Sequence, residues 1–226
     1  DGSSTGVNSA ANENASSSGA VSIFRGLGMV MTSLSRTSAP ASGAADITFG
    51  APGFASVSWV GNVLFDQTLR GAGAAGGRNR GIFSTLSPTG TVDLVFQNVS
   101  SMGGIGGYAP GSQARLFSPP LCNYGFEGLF LAAVSGSGVS ATNNRALLKD
   151  DGRLLSLIRR TGQPVAELGG AEPSAFLEVL QNISINLIAI PSKLKKSSTP
   201  TPTVTAANDS ALLILDHTGA LKFAGL

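Results

Sequence analysis

The chain has 226 residues, among them 30 Gly and a single Cys, and a formal net charge of +2. Charged residues make up 12 %, about half the usual share, so there is no basic surface to argue for a nucleic-acid partner. One cysteine excludes an intrachain disulfide and a Cys-based zinc site, and no apolar run approaches the roughly 20 residues of a membrane-spanning helix.

Residues 1–18 are polar and low in complexity, "DGSSTGVNSAANENASSS". They read as an exposed arm, or as a mature N-terminus left after processing. Residues 19–226 read as one β-repeat domain. Its first part, 19–44, holds "SIFRGLGMVMTSLSRTSAP", an apolar hairpin ending in an R-T-x-x-P sequence at Arg36, Thr37 and Pro40. The same spacing recurs at Arg160, Thr161 and Pro164.

Three larger units follow, 45–107, 108–170 and 171–226. Each opens on a short strand, A, entered by "DITF", "ARLF" or "SAF", with Phe49, Phe117 and Phe176 in equivalent places. Strand B follows as "GNVLFDQTLRG", "EGLFLAAVSG" or "INLIAIPSK", aligned on Phe65, Phe130 and Ile188. Strand C is "NRGIF", "NRALL" or "DSALL", beginning at Asn79, Asn144 and Asp209, 65 residues apart both times. A turn closing on Gly90, Gly152 or Gly219 then leads to strand D. Glycine supplies the positive φ that two-residue hairpin turns need. The segment "AEPSAFLEVLQNIS" has good helix formers behind Ser174, but its place in the repeat predicts strand A.

The expected fold is therefore all-β, built from repeated four-stranded antiparallel units. Three units and a leading hairpin make a β-propeller-like arc of about 3.5 blades, with a β-sandwich of the same hairpins as the alternative. Closed propellers usually have about four to eight blades, so such an arc leaves end faces and edges to be covered.

Few residues point to chemistry. His217, the only histidine, sits in "DHTG" beside Asp216 and has no second His for a metal pair. Asp150 and Asp151 in "KDDG" read as a polar turn, with a loose cation contact as the other reading. "GAGAAGGRNRG" precedes a strand rather than a helix, so it is a B–C loop and not a phosphate cradle. Cys122 reads as a small buried hydrophobe. The residues most available for ligand or subunit contacts are Arg78 and Arg80 in one B–C loop and Lys193, Lys195 and Lys196 in another. Glycosylation sequons occur at Asn14, Asn98, Asn182 and Asn208.

The stretch "SLIRRTGQPVAELGGAEPSAF", with "GLFLAAVSG", "NNRALLKDDG" and "GIF" at Gly81 to Phe83, resembles repeats of about 65 residues in large secreted proteins of planctomycete-type bacteria. The resemblance covers most of residues 20–226 and rests on turn residues and apolar positions. It implies a propeller-like build and carries no known activity, so no functional residue transfers.

The reading that follows is a non-enzymatic structural or interaction protein, extracellular or at the cell surface, without cofactor and without a membrane span. Its expected partners are copies of itself, in an oligomer or filament, and polysaccharide. The alternative is a secreted propeller-type module that binds glycans or other extracellular ligands through its B–C loops.

Overall fold

The computed structural model describes residues 22–27, 30–36, 39–41, 46–58, 61–86, 91–122, 127–182, 187–196, 203–215 and 221–223. Within them every regular element is a strand, apart from two 3-10 turns at Ala72–Ala74 and Ala166–Leu168. Strands β1 (Ser22–Leu27) and β2 (Val30–Arg36) pair as an antiparallel hairpin. Strands β3 (Thr48–Val57), β4 (Val63–Arg70), β5 (Arg80–Ser84) and β6 (Asp93–Gln97) form the first sheet in that spatial order.

The second sheet is built from β7 (Ser100–Ser101), β8 (Gln113–Leu116), β9 (Leu121–Cys122), β10 (Gly128–Ser135), β11 (Arg145–Asp150) and β12 (Leu155–Arg160). Its order is β12-β11-β10-β8-β7, with β9 on β10. The third contains β13 (Pro173–Phe176), β14 (Leu180–Asn182), β15 (Leu187–Leu194), β16 (Ser210–Leu215) and β17 (Leu221–Phe223). Its order is β13-β15-β16-β17, with β14 on β15.

The expected A-B-C-D unit is thus the unit of the fold, with B strands β4, β10 and β15 and C strands β5, β11 and β16. Three details differ. Strand A is split in the second and third units, as β8 with β9 and β13 with β14, and in the first it is one strand broken by two register shifts. Residues Ser100–Ser101, assigned to the first unit, pair with β8 in the second sheet. Register also moves one alignment by two residues. Phe65 faces Phe83, Phe130 faces Leu148, and Leu213 faces Ile190 rather than Ile188. Ser174 to Asn182 lies in strands and their link, as the repeat predicts, because period-two packing overrides local helix propensity. The turns at Gly90 and Gly219, with His217 and Asp216, lie outside the described residues.

Alternation along the strands explains how the sheets stack. In β10, Phe130, Ala132 and Val134 point into a core shared with Leu64, Ile82 and Phe96 of the first sheet. Leu129 and Leu131 point the other way, into a core shared with Phe176, Ile188, Ile190 and Leu213 of the third. A third core lies on the opposite face of the first sheet, around Phe49, Phe65 and Phe83, where Leu34 of the hairpin packs. Each central sheet is buried on both faces, like a propeller blade. Each fully buried Leu, Ile or Phe contributes roughly 1.5–3 kcal/mol.

Candidate functional sites

Arg80 begins β5, and its predicted role as an exposed contact meets a different arrangement. Its guanidinium holds Asp66 through two nitrogens, at 2.7 Å and 2.5 Å. Asp66 is buried, and its other oxygen accepts the Phe54 N–H at 2.8 Å. The bulged strand β3 makes room for this carboxylate at Gly53, where a Cβ would fall 2.3 Å from Asp66 Oδ2. Arg78 is exposed in the same loop, and its carbonyl accepts a hydrogen bond from Gln97.

In the third unit, Lys193 Nζ lies 2.9 Å from Asp209 and donates to Ser210 at 2.7 Å. Lys195 Nζ lies 3.1 Å from Glu172. Lys196 is exposed and acts electrostatically on Asp209. Three of the five predicted contact residues are therefore engaged with carboxylates of their own chain. The two clusters lie at the B–C connections of different units, but not wholly in loops as expected: Arg80 opens β5 and Lys193 lies within β15, because the strands extend past the apolar runs that mark them in the sequence.

Cys122 is fully buried, and desolvation pushes its thiol up to about 12. That agrees with its reading as a small apolar residue. Of the sequons, Asn98 accepts the Leu116 N–H through Oδ1 at 2.8 Å, and Asn208 donates to the Thr203 carbonyl at 3.0 Å.

A cleft of about 260 Å³ lies between the paired ends of β5 and β6 in the first sheet and the β11–β12 turn of the second. Its walls include Ser84 and Asp93, directly paired across β5 and β6, and Asp150, Gly152 and Arg153 from the "KDDG" turn. The turn docks closely, since a Cβ on Gly152 would stand 2.4 Å from the Leu86 carbonyl oxygen. Asp150 Oδ1 accepts the Gly152 N–H at 3.0 Å. Asp151 Oδ1 accepts N–H groups from Arg153 and Leu154, both at 2.9 Å. These bonds hold the Asp151 carboxyl below its usual range, whereas burial holds that of Asp150 above it. The Gly152 N–H and the Ser84 hydroxyl oppose that rise, and the Asp151 and Asp93 charges add to it. Asp150 Oδ2 is sealed from solvent and accepts no hydrogen bond. No three His, Cys, Asp or Glu residues converge as a metal cluster among the described residues. Sequence reading singled out the Asp pair but missed Asp93 and Ser84, which only sheet stacking brings to it.

The outer face of the third sheet is a second candidate. Leu180, Ala189 and Ile214 form one cross-strand row, and Pro191 and Leu212 the next. Ala189, Pro191, Leu212 and Ile214 are half-buried, while Leu177 and Leu180 are 53 % and 44 % exposed. The equivalent faces of the first and second sheets carry Leu64 with Ile82 and Leu129 with Leu147, and the next sheet covers both.

The described residues form stacked antiparallel sheets, an all-β build. The chain matches the family of unknown function DUF7453 over residues 4–224 and belongs to that family. A search of curated proteins gives no match. No helix among the described residues is long and apolar enough to cross a membrane.

Proposed function

We propose that the chain is a non-enzymatic structural protein of the cell exterior that assembles with copies of itself. The observation that carries this is the apolar outer face of the third sheet. Two equivalent faces within the chain are covered by the next unit, so the same packing continued into a second copy is the natural occupant of the third. Its rows of Leu180, Ala189 and Ile214 with Pro191 and Leu212 match the alternation that packs the inner faces. Such a contact joins different surfaces of two identical chains, and heterologous contacts close into rings or extend as filaments. Low charge and the resemblance to repeats of secreted bacterial proteins support the exterior location.

The glycan-binding alternative has less behind it. Lys193, Lys195 and Arg80 spend their charge on Asp209, Glu172 and Asp66. Sedimentation velocity over a hundredfold concentration range tests the proposal. The expected result is a concentration-dependent shift to faster species, and a single monomer boundary throughout rejects it.

A further inference from the structure

Arg145 opens β11 as Arg80 opens β5, 65 residues earlier, and the two face equivalent residues of strand B, Ala133 and Thr68. Arg80 holds Asp66, which lies two residues from Thr68 on the same face of β4. The second unit keeps the arginine and drops the carboxylate: Leu131, fully buried, stands in the place of Asp66. Arg145 turns instead over the ring of Phe117, with its guanidinium carbon 3.8 Å from the centroid. That ring is 44 % exposed. A guanidinium stacked on an aromatic face keeps its N–H groups, which lie in its own plane, open to an acceptor. Among the described residues no carboxylate pairs with them.

The residues around Arg145 extend one polar surface. Arg115, Ala133 and Arg145 form a cross-strand row over β8, β10 and β11, so their side chains share a face, and the small Ala133 leaves space between the two cations. Arg115 is exposed and makes no ion pair among the described residues. Its head lies against Gly77 of the first B–C loop, where a Cβ would stand 2.8 Å from Nη2, and the exposed Arg78 comes next in that loop. The adjoining row on the same face, Ser101, Gln113 and Ser135, is exposed throughout.

We infer that this face of the second sheet binds an extended, carboxylate-bearing polysaccharide, with Arg145 and Arg115 gripping its carboxylates and the Ser101–Gln113–Ser135 row meeting its hydroxyls. The first unit points to the carboxylate, since the arginine at the same repeat position grips one through two nitrogens. Spacing points to a polymer. Neighbouring strands lie about 4.8 Å apart, so the roots of Arg115 and Arg145, two strands apart, are separated by about 10 Å. With Arg78 near the Arg115 end, the charges form a line rather than a cup for one small anion. Nucleic acid is the competing polyanion. A single half-exposed ring gives it no stacking platform, and a net charge of +2 gives it no basic field. The inference takes the exterior location from the proposed function and does not depend on self-assembly, which sedimentation reads separately.

The test is calorimetric titration of the full chain with polygalacturonate at low and at physiological ionic strength. Neutral dextran and single-stranded DNA of matched length serve as controls. The expected result is saturable polygalacturonate binding that weakens with salt, weaker binding of DNA and none of dextran. Arg145→Ala and Arg115→Ala should each lower the affinity about tenfold or more, as expected for loss of a charge-assisted hydrogen bond. Arg115 is exposed, so its variant keeps the test readable even if Arg145→Ala folds poorly. Arg145→Lys should recover only part of the loss, because an ammonium lacks the planar fork. Arg153→Ala removes an exposed charge at the opposite end of β11 and should change the affinity by less than about twofold. No binding beyond that of dextran, DNA bound as tightly as polygalacturonate, or an equal loss in Arg153→Ala overturns the inference.

Discussion

Phe65 and Phe83 face each other across β4 and β5 with their rings stacked at 5.5 Å, and the same cross-strand place holds Phe130 with Leu148 and Ile190 with Leu213. All six side chains are essentially inaccessible to solvent. Each pair lies on the face turned toward the preceding element of the stack, so each seals one joint of the repeat. Phe83→Ala, Leu148→Ala and Leu213→Ala should each cost about 2–5 kcal/mol, the aromatic change at the upper end. Urea denaturation of the three variants checks this. A near-neutral effect at any one of them would show that its joint is not formed as described.

The Arg80–Asp66 pair makes a different prediction. Arg80→Ala leaves a buried carboxylate with the Phe54 N–H and without its cation. The guanidinium is partly exposed, which tempers the effect, and a destabilisation of about 1–3 kcal/mol is expected. Arg80→Lys should recover only part of it, because an ammonium cannot reproduce the two-nitrogen contact. Equal stability of the Ala and Lys variants would show that the fork geometry contributes nothing.

Cys122 should resist thiol reagents in the folded chain. Its thiol, pushed up to about 12, has almost no thiolate at pH 8 and lies behind Ser56, whose hydroxyl accepts the Cys122 N–H at 2.9 Å. Alkylation should proceed only at the rate of unfolding, and should accelerate in the core variants described above. Rapid labelling of the folded protein would contradict the burial.

What could be read from the sequence, and what could not, divides along a physical line. Strand type, order and the C–D pairing follow from Gly-closed turns and period-two apolar patterns, both local properties. The two-residue displacement of Ile188 against Ile190 arises because the third B–C connection, residues 195–209, is longer than the other two and breaks the spacing. Splitting of strand A was not legible, since the breaks at Phe117 to Pro120 and Leu177 to Val179 depend on hydrogen bonds to β10 and β15. The cleft was half legible. "KDDG" advertised its carboxylates, but Ser84 and Asp93 meet them only through face-to-face stacking. The ion pair of Asp66 left a faint signal, a charge where the second and third units carry Leu131 and Pro191.

Asp150 also sets a pH dependence whose sign is opposite to that of a salt-bridged aspartate. Its folded-state pKa is raised above the ordinary 3.8, so the folded chain holds this proton where the unfolded chain has lost it. The contribution to stability is fully present below the unfolded value and is lost as pH rises through the raised one. The stability of Asp150→Asn relative to the wild type should therefore increase as pH rises from about 4 through the raised value. Denaturation of both proteins across that window provides the measurement. A difference that stays flat with pH would mean the carboxyl titrates normally.

The outer face of the third sheet yields the last prediction. Ile214 lies at the centre of its cross-strand row, between Ala189 and Lys222, and Leu212 faces Pro191 one row away. Ile214→Lys places a charge where a second copy would stack, while leaving Leu213 and Leu215 in the inner core untouched. Surface changes away from the packed core usually alter stability by no more than about 0.5 kcal/mol, so the monomer should fold as before. Assembly should be lost, because burying an unpaired ammonium in an apolar contact is strongly unfavourable. If the leading segment of a second copy supplies the complementary surface, deletion of residues 1–34 should also abolish assembly. That deletion also removes Leu34 from the core around Phe49, Phe65 and Phe83, so its folding must be checked by circular dichroism. Sedimentation of the three proteins side by side decides the matter. Assembly that survives Ile214→Lys undiminished would move the interface elsewhere on the molecule.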